Sequence, residues 1–558
     1  MLDELTAASD MLSVALERYS AACLAIQNSY VRGEKPHTID PQVLPQLDIE
    51  IDLATSLQSK LAGAKASISW SRNCAHTHAT VNDIPSEVLA HIFHLVVSSQ
   101  PCAKRDYREV DKEVDPMYPA VLSRVCSRWR GITLSTPTLW THIDVSTSAL
   151  LNQHCLDGLT KLHLSHASNL SLNVHVFDAM GYEVSQSPFG SIDSSITGSI
   201  TWLAGRTCSL NMDELGVVNP NGYTEILSAL LQHSIPGTLT NLTLSWYSNR
   251  IYGGRTVLQA KDDSDRNGLT MGLPREQLEN ILSHISVLRL AGPYFLWTSR
   301  VYHGLVELCL VGRGTINEPD LVGMLQSSPG LRILQLGLRI DNLLSIDTQV
   351  TPVALSDLEV LLVWQISCAS IPHLLRWLAP GTKPLQFGLR TQEEVHMANP
   401  EILQLNKGSM LSFFLRSHLK SVYGRYMGIV SAIELLELSP GIRELAISRT
   451  KFYAFPPLEG ATVGSTLECH LRYLQISHSS VDIEAVLAFI NCPTVTIEVV
   501  VFHDCQLFHH GAQITANRVA LEVEELNAKH PNVRFIVRSC EEPYLVCVEN
   551  WGPGASLW

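Results

Sequence analysis

The sequence predicts an α/β chain in which N-terminal helices and a small helical module lead into an irregular solenoid. Three observations carry this. Apolar residues up to about residue 143 recur at three- and four-residue spacing, L-x-x-L-x-L recurs from about residue 150 onward, and helix-like text separates the recurrences. A chain of 558 residues has room for such an array, since its length implies several structural units or one long stack.

The composition limits what the chain can do. Hydrophobic residues make up 46% and charged residues 17%, enough apolar surface to offset the entropy of ordering, so the chain should be globular. With 40 basic against 54 acidic residues the formal charge is -14, and no basic run occurs, so a nucleic-acid partner is not expected. No apolar stretch approaches the roughly 20 residues of a membrane helix. "LEVLLVWQI" and "TVTIEVVVF" have strand length. The acidic N-terminus does not read as a secretory signal. The expected setting is therefore the cytoplasm, the nucleus or both, with the sequons at Asn169 and Asn241 unglycosylated.

The element order follows the text. Residues 1–30 predict a helix, broken by "RGEKPHTIDPQVLP". A second helix follows, in which Leu47, Ile51, Ala54, Leu57, Leu61, Ala64 and Ile68 form a seam on one face. Residues 1–75 are thus a helical, coiled-coil-like lead. The seam over 47–68 is either a self-association surface or a face that packs on its own domain.

Residues 82–143 form the small module. Pro85 and Glu87 suit a first helical turn, and Val88, Leu89, Ile92, Phe93 and Val96 follow as one stripe. Val121, Leu122, Val125, Cys126 and Trp129 repeat the same offsets in a second helix. Thr136 and Pro137 then open a turn that carries Leu139 and Trp140. Two short helices and a turn cannot bury that much apolar surface alone, so part of it should meet something else.

Residues 150–558 predict the solenoid. "GLTKLHLSH" (158–166), "TLTNLTLSW" (238–246), "HISVLRLAG" (284–292), "GLVELCLVG" (304–312), "GLRILQLGL" (330–338), "GIRELAISR" (441–449) and "HLRYLQISH" (470–478) share the pattern. Leu305, Leu331 and Leu358 stand 26 and 27 residues apart, Ile442 lies 84 further, three times 28, and Leu471 29 beyond that. A period near 27 with helix-like connections is the signature of leucine-rich repeats. The asparagine usual after L-x-L is missing from the best copies, so its ladder must be lacking or replaced. Residues 250–268 and 185–199 read as long polar loops, and "VRFIV" and "YLVCV" as a C-terminal cap.

Candidate sites follow from these patterns. The third, fifth and seventh letters of each repeat alternate away from the core, giving Thr243, Arg289, Glu307, Gln335, Trp364, Glu444, Tyr473 and Gln475 as a target-binding face. Trp364 is either its exposed anchor or, where the repeats are irregular, a core residue. The set holds no arginine cluster, which favours a mixed peptide or folded surface over a phosphorylated one. No nucleotide, hydrolase or protease motif occurs, so no enzyme and no cofactor are expected. Thirteen cysteines without a C-x-x-C read as reduced thiols, as at Cys126 and Cys309. "CAHTH" (74–78) and "HDCQLFHH" (503–510) lack a second ligand pair, so no metal is expected.

Taken together, Ile84, Pro85, Val88, Leu89, Ile92 and Phe93, then Val121, Leu122, Val125, Cys126 and Trp129, then Leu139 and Trp140 resemble the F-box pattern L-P-x-E-[VL]-L-x-x-I-F, V-C-x-x-W, L-W. The chain is most similar to fungal F-box-like proteins, in which a coiled-coil-like lead precedes the box and degenerate leucine-rich repeats follow. It departs from them in the charged insertion at 98–117. The resemblance implies a non-catalytic substrate receptor of a Skp, cullin and F-box ubiquitin ligase. The twelve box residues other than Cys126 would bind the Skp-type adaptor, and through it the cullin, while the repeats hold an unidentified target protein. A leucine-rich-repeat scaffold acting outside any ligase is the alternative.

Overall fold

A computed structural model describes residues 2–31, 43–73, 81–99, 118–146, 153–177, 201–214, 220–246, 256–263, 268–366, 370–391, 407–425, 427, 429–452, 469–491 and 495–538. The chain divides into two compact units, Met1–Leu89 and Ala90–Trp558.

In the first unit, helices α1 (Leu2–Val31) and α2 (Leu44–Asn73) carry the expected lead. The Tyr19 hydroxyl donates to the Glu50 carboxylate at 3.3 Å, tying one to the other. Of the seam, Ile51, Leu57, Leu61 and Ile68 are exposed while Leu47 and Ala54 are half-buried. Aliphatic side chains held in water at heptad spacing gain by meeting a second helix. Deleting residues 1–75 is therefore expected to halve the mass measured by light scattering. An unchanged mass would reject dimerisation through this seam.

Helix α3 (Ser86–Ser99) crosses the division. The second unit continues with α4 (Pro119–Leu122), α5 (Ser127–Leu134) and a 3-10 turn at Pro137–Trp140. From there a parallel sheet of 14 strands is laid down in chain order. Its strands are β1 (His142–Ser146), β2 (Leu172–Phe177), β3 (Thr207–Glu214), β4 (Asn241–Trp246), β5 (Val287–Ala291), β6 (Glu307–Asn317) and β7 (Ile333–Asp341). The others are β8 (Val360–Ile366), β9 (Leu385–Thr391), β10 (Leu419–Arg425), β11 (Glu444–Ser448), β12 (Cys469–Ser477), β13 (Val495–His503) and β14 (Arg534–Arg538). Sequence neighbours are spatial neighbours throughout, which is what stacked strand-and-helix repeats produce.

The repeat positions form the core. Leu305, Leu308 and Leu310 and their counterparts at 331, 334 and 336, at 358, 361 and 363, at 442, 445 and 447, and at 471, 474 and 476 are none of them more than 1% exposed. The long interval from Leu358 to Ile442 is three steps, because β9 and β10 fill it with Leu385 and Leu419 in register. Asn342, Arg449, His478 and Asp504 follow β7, β11, β12 and β13 with φ of 53, 52, 47 and 50°, and the Asn342 amide donates to the Asn317 side chain at 2.9 Å. The His478 ring meets the Asp504 carboxylate at 2.9 Å, one rung of a side-chain ladder between successive turns.

Two expectations are corrected. "GLTKLHLSH" lies in a helix, Gln153–His166, and not in a strand. Its leucines also fit helical spacing, and the helix buries His163. Within the supposed loop 250–268, Thr256–Gln259 is a strand paired with Pro293–Phe295. "VRFIV" does contribute the last described strand. "YLVCV", the segments 74–78 and 185–199 and the insertion beyond Ser99 lie outside the described residues. Cys23, Cys126, Cys208, Cys309, Cys469 and Cys505 are free thiols, and burial pushes those of Cys469 and Cys505 up to about 11.

Candidate functional site

The box-like segment is built from short helices that each need help at their ends. Cys126 supplies it for α5, its sulfur accepting the Trp129 backbone N–H at 3.4 Å as an N-cap. This gives the V-C-x-x-W spacing a physical basis. Trp129 stacks obliquely on Phe93 with ring centroids 4.7 Å apart, and the Trp140 indole N–H donates to the Thr133 carbonyl at 2.8 Å. His94, half-buried, meets the Thr138 hydroxyl at 2.9 Å. Burial and the neighbouring His91 both lower its pKa.

The structure divides the twelve residues read from the sequence. Leu89, Phe93, Leu122, Leu139 and Trp140 are buried, and Ile84 and Trp129 are half-buried. Pro85, Val88, Ile92, Val121 and Val125 are exposed. The sequence reading missed Leu95. Val88 (47% exposed), Ile92 (38%) and Leu95 (58%) stand at i, i+4 and i+7 of α3, so they share one face of that helix, while Val121 and Val125 are 44% and 59% exposed. The interior is thus filled without these side chains. Spacing alone could have found Leu95, which falls on the Val88 and Ile92 stripe.

The second candidate surface is the face of the sheet opposite the leucine positions. Strand register aligns its residues into rows, and here the expected target-binding set is corrected. None of Arg289, Glu307, Gln335, Trp364, Glu444, Tyr473 and Gln475 is exposed. Arg289 grips the buried Glu307 with two bonds of 2.6 and 2.9 Å, a diagonal cross-strand pair. Gln335 is buried and accepts the Cys309 thiol at 3.3 Å. Glu444 accepts the Ser421 hydroxyl at 2.6 Å, Tyr473 lies 5.1 Å from the Arg472 guanidinium, and Gln475 is buried, as is Thr243. Trp364, 7% exposed, gathers with Val360, Leu362 and Ala446, flanked by Ile333, Tyr423 and Tyr473. The alternative reading of Trp364 as a core residue is the one that holds.

The register also brings together residues that sequence reading left apart. Trp364, Arg390, Arg425, Ser448, Ser477, His503 and Arg538 are successive partners along one row of β8 to β14. The Arg390 guanidinium lies 5.5 Å from the Trp364 ring centroid. Three arginines thus share a row, where the sequence suggested no cluster. They were missed because β9, β10 and β14 lack the complete leucine pattern.

The fold and surfaces define a mixed α/β protein on a long parallel sheet with an exposed aliphatic stripe near its N-terminus. Among the described residues no helix is long and apolar enough to cross a membrane. No family model matches the sequence, and no curated protein matches it. Among solved structures it is similar to a complex of Rad7 and Elc1 in yeast, with 12% identity and a TM-score of 0.36 over 85% of this chain and 98% of that one. At that score the likeness supports neither a fold assignment nor a role.

Proposed function

We propose that the chain is a substrate-recognition subunit of a Skp, cullin and F-box type ubiquitin ligase. In this reading residues 82–143 are an F-box that docks on a Skp-type adaptor, and the repeat sheet carries the target. The protein contributes proximity alone, since tethering raises the effective concentration of target lysines beside the ubiquitin-carrying enzyme.

The observation that carries the reading is the division of the box stripe. Leu89 and Phe93 are buried, yet α3 still presents Val88, Ile92 and Leu95 to solvent, with Val121 and Val125 also outward. Aliphatic side chains beyond those a module needs for its own core suit a protein contact.

The test uses outward residues, because Leu89→Asp would place a charge in the interior and unfold the module. Val88→Asp combined with Ile92→Asp is expected to lower capture of a purified Skp-type adaptor about 100-fold or more, since an unpaired carboxylate in an apolar contact costs several kcal/mol. The circular dichroism spectrum should be unchanged. Full retention of the adaptor by this folded variant would sink the reading, and a wild type that captures no adaptor would leave the scaffold outside any ligase.

A further inference from the structure

We propose that His142, Asp144 and His175 form a binding site for a divalent transition cation of the zinc class, which fastens the first strand of the sheet to the second. His142 and Asp144 are two residues apart on β1 and so share one face, and His175 is the register partner of Asp144 on β2. His142 Nε2 and His175 Nδ1 lie 3.0 and 3.2 Å from Asp144 Oδ1, and all three atoms lie within 4.8 Å of one another. Ligand atoms bonded at about 2.0 Å to a four-coordinate cation stand about 3.3 Å apart, so two of the three edges are already near that spacing. The third edge, between the two imidazole nitrogens, is within 4.8 Å.

The surroundings are those of a metal centre's outer shell. The other ring nitrogen of His175 meets the Asp213 carboxylate at 3.2 Å, the kind of outer partner that orients a ligating imidazole. The second oxygen of Asp144 takes the Tyr118 hydroxyl, and His163 Nδ1 holds the His142 carbonyl at 2.7 Å. Asp144 and Asp213 are both buried, so the carboxylates around His175 lie inside the fold. The His142 side chain keeps 19% of its surface exposed, which gives an ion its way in.

The position explains what the ion would do. Among the described residues β1 ends the sheet and has a neighbour on one side only, and the terminal repeats of such arrays need covering. Two ligands from β1 and one from β2 bind that end strand down, and Tyr118 brings the start of α4 to the same carboxylate. The sequence reading looked for ligand pairs in 74–78 and 503–510. This set is divided between strands that carry no leucine motif, so only the pairing of β1 with β2 assembles it.

The experiment uses the full chain, dialysed against a chelator and titrated with zinc alone by calorimetry. One equivalent per chain is expected, with a rise in the thermal midpoint. His142→Gln should weaken binding at least about tenfold while the metal-free melting curve stays in place. Asp213→Asn should keep the stoichiometry and lose about 10–100-fold in affinity. Glu484→Gln, in the exposed cluster with His509 and His510, should change neither. Cobalt substitution reads the ligand set in the wild type without any variant, and visible bands without thiolate charge transfer are expected. The absence of a stoichiometric ion, equal binding by His142→Gln, loss of the ion in Glu484→Gln, or a cobalt–thiolate spectrum would each overturn the proposal.

Discussion

Arg376→Ala is expected to destabilise the repeat unit by about 3–5 kcal/mol, the cost of stranding one partner of a buried ion pair. Glu318 opens the helix Glu318–Ser327 and is 2% exposed. Its carboxylate accepts from Arg376 Nη2 at 2.7 Å and from the Trp377 indole N–H at 2.6 Å. Arg376 also donates to the Ser345 and Leu344 carbonyls at 2.7 and 3.2 Å. One guanidinium on the helix after β8 therefore reaches the helix after β6, two repeats back, and the segment after β7 that lies between them. Burial alone would raise the Glu318 pKa, but the bonds from Arg376 and Trp377 outweigh it and hold the carboxyl below its ordinary 4.5.

The sign of the pH dependence follows. A carboxyl with a depressed folded pKa gives the unfolded chain the higher proton affinity, so its stabilisation is complete above the unfolded value. It is lost as pH falls below 4.5 and through the folded value. Urea midpoints of the wild type minus those of Glu318→Gln should therefore shrink over that acid range and stay constant above it. A difference independent of pH, or a loss of less than about 1 kcal/mol in Arg376→Ala, would place the pair in solvent and contradict the geometry.

Trp364→Ala is expected to cost about 3–5 kcal/mol, as for other buried aromatic residues. Its ring lies among Val360, Leu362 and Ala446 with Arg390 over it, and truncation removes both the packing and the cation–π contact. The neighbouring Gly337 is part of the same fit, because a Cβ there would lie 3.0 Å from Val311 and 3.4 Å from Trp364. Trp364→Phe should recover most of the loss. If Trp364 were instead a solvent-exposed anchor, Trp364→Ala would leave the denaturation midpoint within about 0.5 kcal/mol of the wild type. Any loss of target capture in this variant is therefore expected to accompany unfolding.

The leucine positions of β6, β7, β8, β11 and β12 were legible because a buried parallel strand repeats its apolar residues at a spacing that the period confirms. β10 was not. Its sixth position is Gly424, and the Met427 side chain occupies the space a leucine would take, so the pattern breaks while the core stays filled. β1 and β2 were hidden for another reason. They place Asp144 and His175 where apolar residues would mark a strand, and those polar groups find partners on other elements, one another among them.

By itself the sequence determined the order of the parts, the period of the array and the residues that fill its leucine core, because these depend on spacing along one chain. Alternation likewise set which way Arg289, Glu307 and Trp364 point. Only the tertiary structure decided that these residues are enclosed, that five of the twelve box residues are buried while five face water, and that Arg390, Arg425 and Arg538 share a row with Trp364. Exposure and neighbourhood depend on strand register and on what packs against each face. Residues tens or hundreds of positions apart supply both, and no local pattern records them.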